Sequence, residues 1–222
     1  NASFASMTQY AIYNSDWSFD GVLGLSYWGT DSLLQHMDNQ GLLLNHSFSL
    51  YLRKNPQSPG SVLILGGIDP KYAASPFSYI PVGKGWLFNF ISASFGSVPY
   101  AGPKLVILTG VTGYTVVNFV FYYAITAMVP KITSCDSISE YPNFVITTGE
   151  TTLTFGPSAY YSPDATGTMC TLGFMPWPID STNQFIALGT NLMRQYYLHF
   201  DAGNAQIGFA NSIDITEDLL EI

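Results

Sequence analysis

The residues that could do chemistry are few and far apart in this chain. The three histidines, His36, His46 and His199, are dispersed, and no spacing of His, Cys or Asp predicts a convergent set of metal ligands. No Gly-x-Ser-x-Gly elbow marks a nucleophilic serine. The pair Gly66-Gly67 lacks the Gly-Lys-Ser/Thr ending of a phosphate-binding loop. We therefore expect no metal and no cofactor.

One region of the sequence contains no carboxylate. From Pro70 through Cys135 there is neither Asp nor Glu. Within it, residues 105–112 read LVILTGVT, an apolar run that ends in a Gly turn and a Thr-bearing segment. No residue of this region can therefore serve as one of a pair of carboxylates that transfer a proton.

Composition limits the classes of protein to which the chain can belong. Of its 222 residues, 47% are hydrophobic, 15% aromatic and only 10% charged, which is unlike a disordered chain. Seven Lys and Arg face fifteen Asp and Glu, for a net charge of -8, so binding to nucleic acid is not expected. No apolar run approaches the roughly 20 residues of a membrane helix. We expect a globular protein that does not span a membrane.

Two cysteines and two asparagines are informative about the cellular compartment of the protein. Cys135 and Cys170 form either one disulfide or two buried thiols, and their spacing alone does not decide between these. Glycan acceptor patterns occur at Asn1 (Asn-Ala-Ser) and Asn45 (Asn-His-Ser), which favours a secretory route. The chain begins with Asn and shows no signal peptide, so we interpret it as a processed or partial chain.

Turn signals separate short β-rich runs along most of the sequence, which is typical of a mainly β protein. The predicted strands include residues 47–52, 61–65, 88–95, 144–148 and 206–210. Three helices are predicted, over residues 31–40, over 117–128 with one apolar face, and over 190–196. The aromatic residues at the start of the second helix are interpreted as core plus interface: Phe119, Phe121, Tyr122 and Tyr123.

Several segments, in order, resemble the pepsin-like aspartic proteases of the pepsin and cathepsin D type. They are FDGVLGLSY at residues 19–27, SVLILGGID at 61–69, YIPV at 79–82, SC at 134–135, PNF at 142–144, PSAY at 157–160, CTLGF at 170–174 and MRQYYLHFD at 193–201. The resemblance covers nearly the whole chain up to about Asn211. It implies an all-β fold of two lobes with a substrate cleft between them.

The resemblance also implies a division of the chain. Residues 1–83 are the remainder of the N-terminal lobe, 84–212 the C-terminal lobe and 213–222 an acidic tail. We interpret the tail as a solvated end, with a small docking segment as the alternative. The family pattern also pairs Cys135 with Cys170 as a disulfide of the second lobe.

The chemistry that the resemblance implies needs an aspartate from each lobe, in a loop that ends in Asp-Thr-Gly. Two such carboxylates share one proton, so that one activates water and the other polarises the peptide carbonyl. In this chain Thr109 and Gly110 match the second-lobe loop, whereas Leu108 takes the place of the aspartate. Thr190 is a second changed position, because active relatives commonly have Asp after Leu-Gly. We therefore predict no catalytic residue in this loop.

The first-lobe loop is not in the sequence, but the apolar segment that packs behind it is. By resemblance this segment is Val22-Leu23-Gly24, and its equivalent behind the second loop is Ala187-Leu188-Gly189. A strand so apolar should be covered on both faces. We therefore expect an N-terminal portion of the same precursor as a partner, either a cleaved chain or a further segment.

Three functions are compatible with these observations. The first is a catalytically inactive homologue that binds peptides or other proteins, or serves as a subunit of an assembly. The second is an active aspartic endopeptidase that works at acidic pH with the N-terminal portion. The third is a carrier that holds a small apolar ligand in the former cleft. We favour the first, in a secreted or lumenal setting, endolysosomal, vacuolar or extracellular.

Overall fold

The computed structural model describes residues 23–25, 32–55, 58–83, 85–110, 113–178 and 184–214. Within these ranges the chain is built mainly from short strands. The strands are β1 (Ser47–Tyr51), β2 (Val62–Leu65), β3 (Ser78–Pro81), β4 (Leu87–Asn89), β5 (Ser92–Phe95), β6 (Val98–Pro99), β7 (Leu105–Leu108), β8 (Thr115–Val117), β9 (Ile132–Ser134), β10 (Phe144–Thr147), β11 (Thr152–Phe155), β12 (Tyr161–Pro163), β13 (Met169–Leu172), β14 (Phe174–Pro176), β15 (Ile186–Leu188), β16 (Tyr196–Asp201) and β17 (Gln206–Asn211). This confirms the predicted mainly β class.

The helices in the described part of the chain are short. They are α1 (Leu33–Asn39), α2 (Phe119–Met128), α3 (Pro157–Tyr160) and α4 (Thr190–Met193), with 3-10 helices at Pro70–Tyr72 and Cys135–Glu140. The caps explain where the two longer ones begin. The Ser32 hydroxyl accepts a hydrogen bond from the Gln35 N–H at 3.2 Å, and the Asn118 side chain accepts one from the Phe121 N–H at 2.8 Å.

The strands form four sheets. Their orders are β2-β1-β16-β17-β3, β11-β10-β5-β6, β12-β13-β9 and β14-β8-β15-β7-β4. In the first sheet, strands from the predicted N-terminal-lobe remainder pair with β16 and β17 from the end of the chain. The two predicted lobes therefore share one sheet, and the boundary after residue 83 stays a prediction.

A large apolar core includes residues from all four of these sheets. Alternation along β10 and β11 puts every second side chain inside, as expected for strands with one buried face. Aromatic rings dominate there. Phe144 stacks on Phe155 at a centroid distance of 5.8 Å and meets Phe174 edge-on at 5.5 Å. This core supports β7 and β8, which carry the loop discussed below.

Two predicted elements were wrong in their details. The predicted strand over 88–95 is two strands, β4 and β5, in different sheets. The break falls where the Phe90 N–H bonds to the Lys104 carbonyl and the Ile91 N–H to the Thr147 carbonyl, so the chain changes partner there. The predicted helix over 190–196 ends at Met193, and Tyr196 already begins β16.

The predicted apolar face of the second helix also needs correction. The helix begins at Phe119, because Val117 belongs to β8. Phe121 and Ile125 are buried, whereas Val120 is 72% exposed and Met128 is also exposed. The helix is apolar on both its inner and its outer side, so composition alone could not indicate the direction in which it packs.

Candidate functional site

Strand β7 places Leu108 at the predicted catalytic position. β7 pairs with β15 in parallel, with Leu108 opposite Leu188, and with β4 in the antiparallel sense. The Leu108 N–H donates to the Trp86 carbonyl oxygen at 2.9 Å, and only 9% of the residue is exposed. The position that the resemblance gives to an aspartate thus holds a buried aliphatic side chain.

The residue after Leu108 continues the strand pairing. The Thr109 N–H donates to the Leu188 carbonyl oxygen at 3.1 Å, which extends the pairing of the two strands beyond β7. Gly110 is exposed, and a β-carbon there would meet no described atom within 4 Å. Leu188 belongs to the segment that the resemblance puts behind this loop, and the structure places it there.

The far side of the loop contacts the second changed position. Gly113 has a φ of 79°, in the left-handed region that favours glycine. Its N–H donates to the Thr190 hydroxyl at 3.3 Å. Thr190 opens α4, so the second position at which the resemblance expects a carboxylate is bonded to the chain shortly after the loop.

A buried hydrogen-bond network adjoins the loop. We call the residues that form it the loop base: Thr115, Gly173, Gly189 and Asn191. The Thr115 hydroxyl donates to the Asn191 side-chain oxygen at 2.9 Å and accepts from the Gly189 N–H at 3.2 Å. The Asn191 amide donates to the Gly173 carbonyl at 2.9 Å. A β-carbon on Gly173 would lie 2.7 Å from that amide nitrogen, so the packing requires glycine. The loop base is thus fixed by neutral groups.

Sequence reasoning missed this network and the role of Trp86. Trp86 accepts from the Leu108 N–H through its carbonyl, while its indole N–H donates to the Leu25 carbonyl at 2.7 Å. One residue therefore connects the changed loop to the remnant of the first-lobe segment. In the sequence, the signal for this network was limited to the polar residue Asn191 next to the apolar Leu192.

The remnant itself is incompletely covered. Leu23 is 53% exposed and forms no strand with Gly24 and Leu25, whereas Leu25 packs against the core. Val22 lies outside the described residues. The expectation that a further piece covers this segment stays a prediction.

The described carboxylates belong to other elements of the chain. They are Asp38, which pairs with His46, Asp69 and Asp136 near 3-10 helices, Glu140, Glu150, Asp164 in a turn, Asp201 and Asp214. Asp201 is bonded to the amide groups of Asn204 and Gln206 at 2.7 and 2.9 Å. Burial raises its pKa, but those hydrogen bonds outweigh burial and leave the pKa below its usual value.

The remaining predicted sites are the disulfide and the two glycan acceptors. Cys135 and Cys170 form a disulfide, which confirms the pairing that the resemblance implied. Asn45 is exposed, and its amide donates to the Gly66 carbonyl at 3.2 Å. Asn1 lies outside the described residues. Among the residues that are described, no three His, Cys, Asp or Glu side chains gather as a metal site, and no helix is both long and apolar enough to cross a membrane.

Comparison with known proteins gives a consistent result. The family model of eukaryotic aspartyl proteases matches residues 1–212. Pepsin A of Sus scrofa is 34% identical over 211 residues, and pepsin A of Rhinolophus ferrumequinum is 31% identical over 213 residues. Both matches cover 86% of this chain and 54% of the relative.

A cathepsin D is similar to the chain to the same degree. Cathepsin D of Chionodraco hamatus is 32% identical over 216 residues, with 87% of this chain and 54% of the relative covered. The chain thus spans about half the length of the curated relatives that it matches.

Proposed function

Because the chain belongs to the eukaryotic aspartyl protease family, we propose that it is a catalytically inactive member that acts by binding or assembly. The observation that carries this proposal is Leu108, a buried leucine at the end of β7. A leucine neither donates nor accepts a proton. The aspartic-protease mechanism requires two carboxylates that share one proton.

The neighbourhood of Leu108 supports the same conclusion. No Asp or Glu occurs between Pro70 and Cys135, so no shift in register restores a carboxylate to this loop. The groups that hold the loop base are neutral: Thr115, Asn191 and Thr190. This site can support a lobe and present a surface, but it offers no general acid or base of its own.

The proposal includes a partner that covers the first-lobe remnant. The exposed Leu23 and the link from Leu25 through Trp86 to Leu108 support such a partner. The simplest partner is an N-terminal portion of the same precursor, because the chain spans about half the length of the relatives that it matches. A peptide held in the resulting cleft, or a further subunit, is the second element of the proposal.

The compartment is proposed to be secreted or lumenal. The disulfide between Cys135 and Cys170 supports an oxidising environment, where such bonds persist. The exposed Asn45 in its glycan acceptor pattern supports the same route.

A peptide-cleavage assay at acidic pH tests the proposal. The chain, and any longer natural product that contains it, is incubated with a denatured protein substrate, with and without a statine inhibitor that mimics the transition state. We expect no cleavage that the inhibitor blocks. Cleavage that the inhibitor abolishes would establish the endopeptidase and end the proposal.

The partner is tested by the mass of the material purified from its natural source without reduction. We expect a longer product or a second polypeptide that copurifies with this chain. A monomer with the mass of this chain alone would refute the proposed partner, while leaving the conclusion about catalysis to the cleavage assay.

A further inference from the structure

The outer side of helix α2 is apolar and faces solvent. Val120 is 72% exposed, Tyr123 54% and Met128 41%, and Ala127 is exposed as well. We call these four residues the α2 face. The helix carries no charged residue along its ten positions. A helix on the surface of a globular protein ordinarily has polar residues on its outer side, so the α2 face departs from that pattern.

The core fixes which side of α2 points outward. Phe121 is 2% exposed, and Ile125 is fully buried. The Tyr100 ring meets the Phe121 ring edge-on at a centroid distance of 5.2 Å, and the Phe144 ring lies 6.1 Å from it. Because the inner side is held in this way, the helix cannot turn its outer residues into the core.

A lysine lies near each end of the helix. Lys131 follows the helix, and its ammonium lies 5.5 Å from the centroid of the Tyr122 ring. Lys104 is exposed, in a loop that is bonded to the helix start, where the Asn118 amide donates to the Ala101 carbonyl oxygen at 2.8 Å. Within the described ranges, neither lysine forms an ion pair with a carboxylate.

The segment that contains the α2 face is positive, although the chain as a whole is negative. All fifteen Asp and Glu lie outside residues 70–135, whereas four of the seven Lys and Arg lie inside: Lys71, Lys84, Lys104 and Lys131. At physiological salt the repulsion between charges is screened within about 10 Å, so carboxylates remote from the helix have little effect on what approaches it. The sign of this segment complements an anionic surface.

These features together favour a lipid surface as the occupant. Tyrosine is enriched at the boundary between a membrane and water, and lysines next to an apolar surface are attracted to anionic headgroups. A helix of ten residues is too short to cross a bilayer, but it can lie in the plane of its surface. A stable interface with a second copy would need roughly 20 residues from each partner, which is far more than the α2 face offers.

We propose that the α2 face docks on the surface of an anionic lipid bilayer, with Val120 and Tyr123 buried at the acyl boundary and Lys104 and Lys131 at the headgroups. The buried side of the helix belongs to the protein core, so the fold takes the place of the polar side of an ordinary interfacial helix. The inference goes beyond the proposed function and does not depend on whether the loop is catalytically inactive.

Vesicle flotation at neutral pH and low salt tests the proposal on the full chain. One set of vesicles is pure phosphatidylcholine, and in the other a quarter of the lipid is phosphatidylserine. We expect the chain to float with the vesicles that contain phosphatidylserine and to bind pure phosphatidylcholine about tenfold more weakly. Absence of flotation of the folded chain, or equal binding to both vesicles, would overturn the proposal.

A pair of substitutions tests the apolar part of the face. Val120→Ser combined with Tyr123→Ser should weaken binding about tenfold, because less apolar surface enters the lipid. Leu44→Ser is the control, since Leu44 is 96% exposed on a loop before β1, and it should change binding by less than about twofold. Equal losses in the two proteins would indicate general adsorption of apolar surface and would reject the α2 face.

The basic part is tested with matched charge changes. Lys104→Gln combined with Lys131→Gln should weaken binding to the phosphatidylserine vesicles about tenfold. Lys54→Gln combined with Lys71→Gln removes the same charge from lysines that are paired with Asp214 and Asp69, and it should have less than about a twofold effect. Equal weakening by both pairs would assign the effect to net charge and reject the docking site.

Other occupants of the face are distinguished by two measurements. Sedimentation without lipid should show no self-association, and a dimer that Val120→Ser combined with Tyr123→Ser dissociates would assign the face to a second copy. Any longer natural product that contains this chain should float as the chain does. If the longer product failed to float, the added portion would cover the face, and the proposal would be wrong. Near-ultraviolet circular dichroism confirms that each variant is folded.

Discussion

Leu108 and Leu188 are opposite partners in the parallel pairing of β7 and β15, and both are buried in the same core. The pairing continues past them, because the Thr109 N–H bonds to the Leu188 carbonyl oxygen. Where a two-carboxylate mechanism requires a polar, proton-sharing group, two leucines lie side by side. Leu108 is therefore stabilised as part of the core.

The first prediction concerns restoring the carboxylate by Leu108→Asp. At pH 7 we expect a loss of about 3 to 5 kcal/mol in the free energy of unfolding, because the new charge is buried without a partner. Near pH 4 the loss should shrink as the carboxyl group becomes protonated. Urea unfolding at both pH values measures this. Leu108→Asn is the matched control, and it should be destabilising with no such pH dependence. Identical pH profiles for the two variants would show that the loop still accommodates a carboxylate.

The second prediction concerns the network at the loop base. Thr115→Val removes the hydroxyl to which the Gly189 N–H and the Asn191 oxygen are bonded, and leaves both buried groups unsatisfied. We expect a loss of about 2 to 4 kcal/mol in stability, measured by urea unfolding. Thr126→Val on α2 is the control. Its hydroxyl bonds only to the Tyr123 carbonyl near the surface, and we expect a change of about 0.5 kcal/mol or less.

The third prediction concerns pH dependence through His199. Burial lowers the pKa of His199, although Asp201 nearby acts in the opposite sense. Its other packed neighbours are Tyr79, whose hydroxyl lies 3.0 Å from the imidazole Nδ1, and the Phe77 ring. The folded protein favours the neutral imidazole. The contribution of His199 to the free energy of unfolding is therefore complete above pH about 6.5 and is lost as the pH falls below that value.

Unfolding of the wild type and of His199→Gln between pH 7.5 and 5 checks this effect. We expect the variant to show a flatter profile than the wild type. His46→Gln, which removes a half-exposed imidazole, is the control and should keep the decline. A steeper fall in stability for His199→Gln would contradict the assignment.

The fourth prediction concerns the disulfide. The bond between Cys135 and Cys170 spans 35 residues and ties the 3-10 helix after β9 to β13. Replacing both cysteines by serine should lower stability by about 3 to 4 kcal/mol, mainly because the unfolded chain gains freedom. Thermal unfolding with and without reductant measures this. Reductant should lower the unfolding temperature of the wild type and leave that of the double variant unchanged. An effect of reductant on the double variant would show that the disulfide is not the cause of the difference in stability.

The fifth prediction concerns Asn45. Expression in a host with a secretory pathway should give a glycosylated product, whose mobility on gels increases after treatment with an endoglycosidase. Asn45→Gln should remove the shift that arises at this position, and so should Ser47→Ala, which keeps the asparagine. The Ser47 hydroxyl is buried without a hydrogen-bond partner in the described structure, so its removal should not impair folding. An unchanged shift in both variants would rule out this site.

Strand content was predictable because alternation and turn residues are local signals. The strands β1, β2, β10 and β17 lie within one residue of their predicted bounds. The predicted strand over 88–95 failed because an apolar run cannot indicate that its two ends bond to different sheets. The predicted apolar face of helix α2 was wrong for a similar reason, because the helix carries apolar residues on its outer side as well as on its inner side.

The sequence by itself determined the chemistry that the loop lacks. The absence of Asp and Glu between Pro70 and Cys135 is a property of the sequence, so no arrangement of the backbone can place a carboxylate from this region in the loop. The order of the family segments likewise determined the fold class and the disulfide, because sheets and cysteine pairs follow from which segments are present.

Only the tertiary structure decided which distant residues meet at the site. Trp86 joins Leu25 to Leu108, and Arg194 reaches the Arg53 carbonyl across 141 positions of sequence. Such contacts depend on the packing of whole sheets and not on spacing along the chain. The neighbours of Leu108 are therefore visible only once the chain has folded, because contacts between sheets are a property of the assembled core.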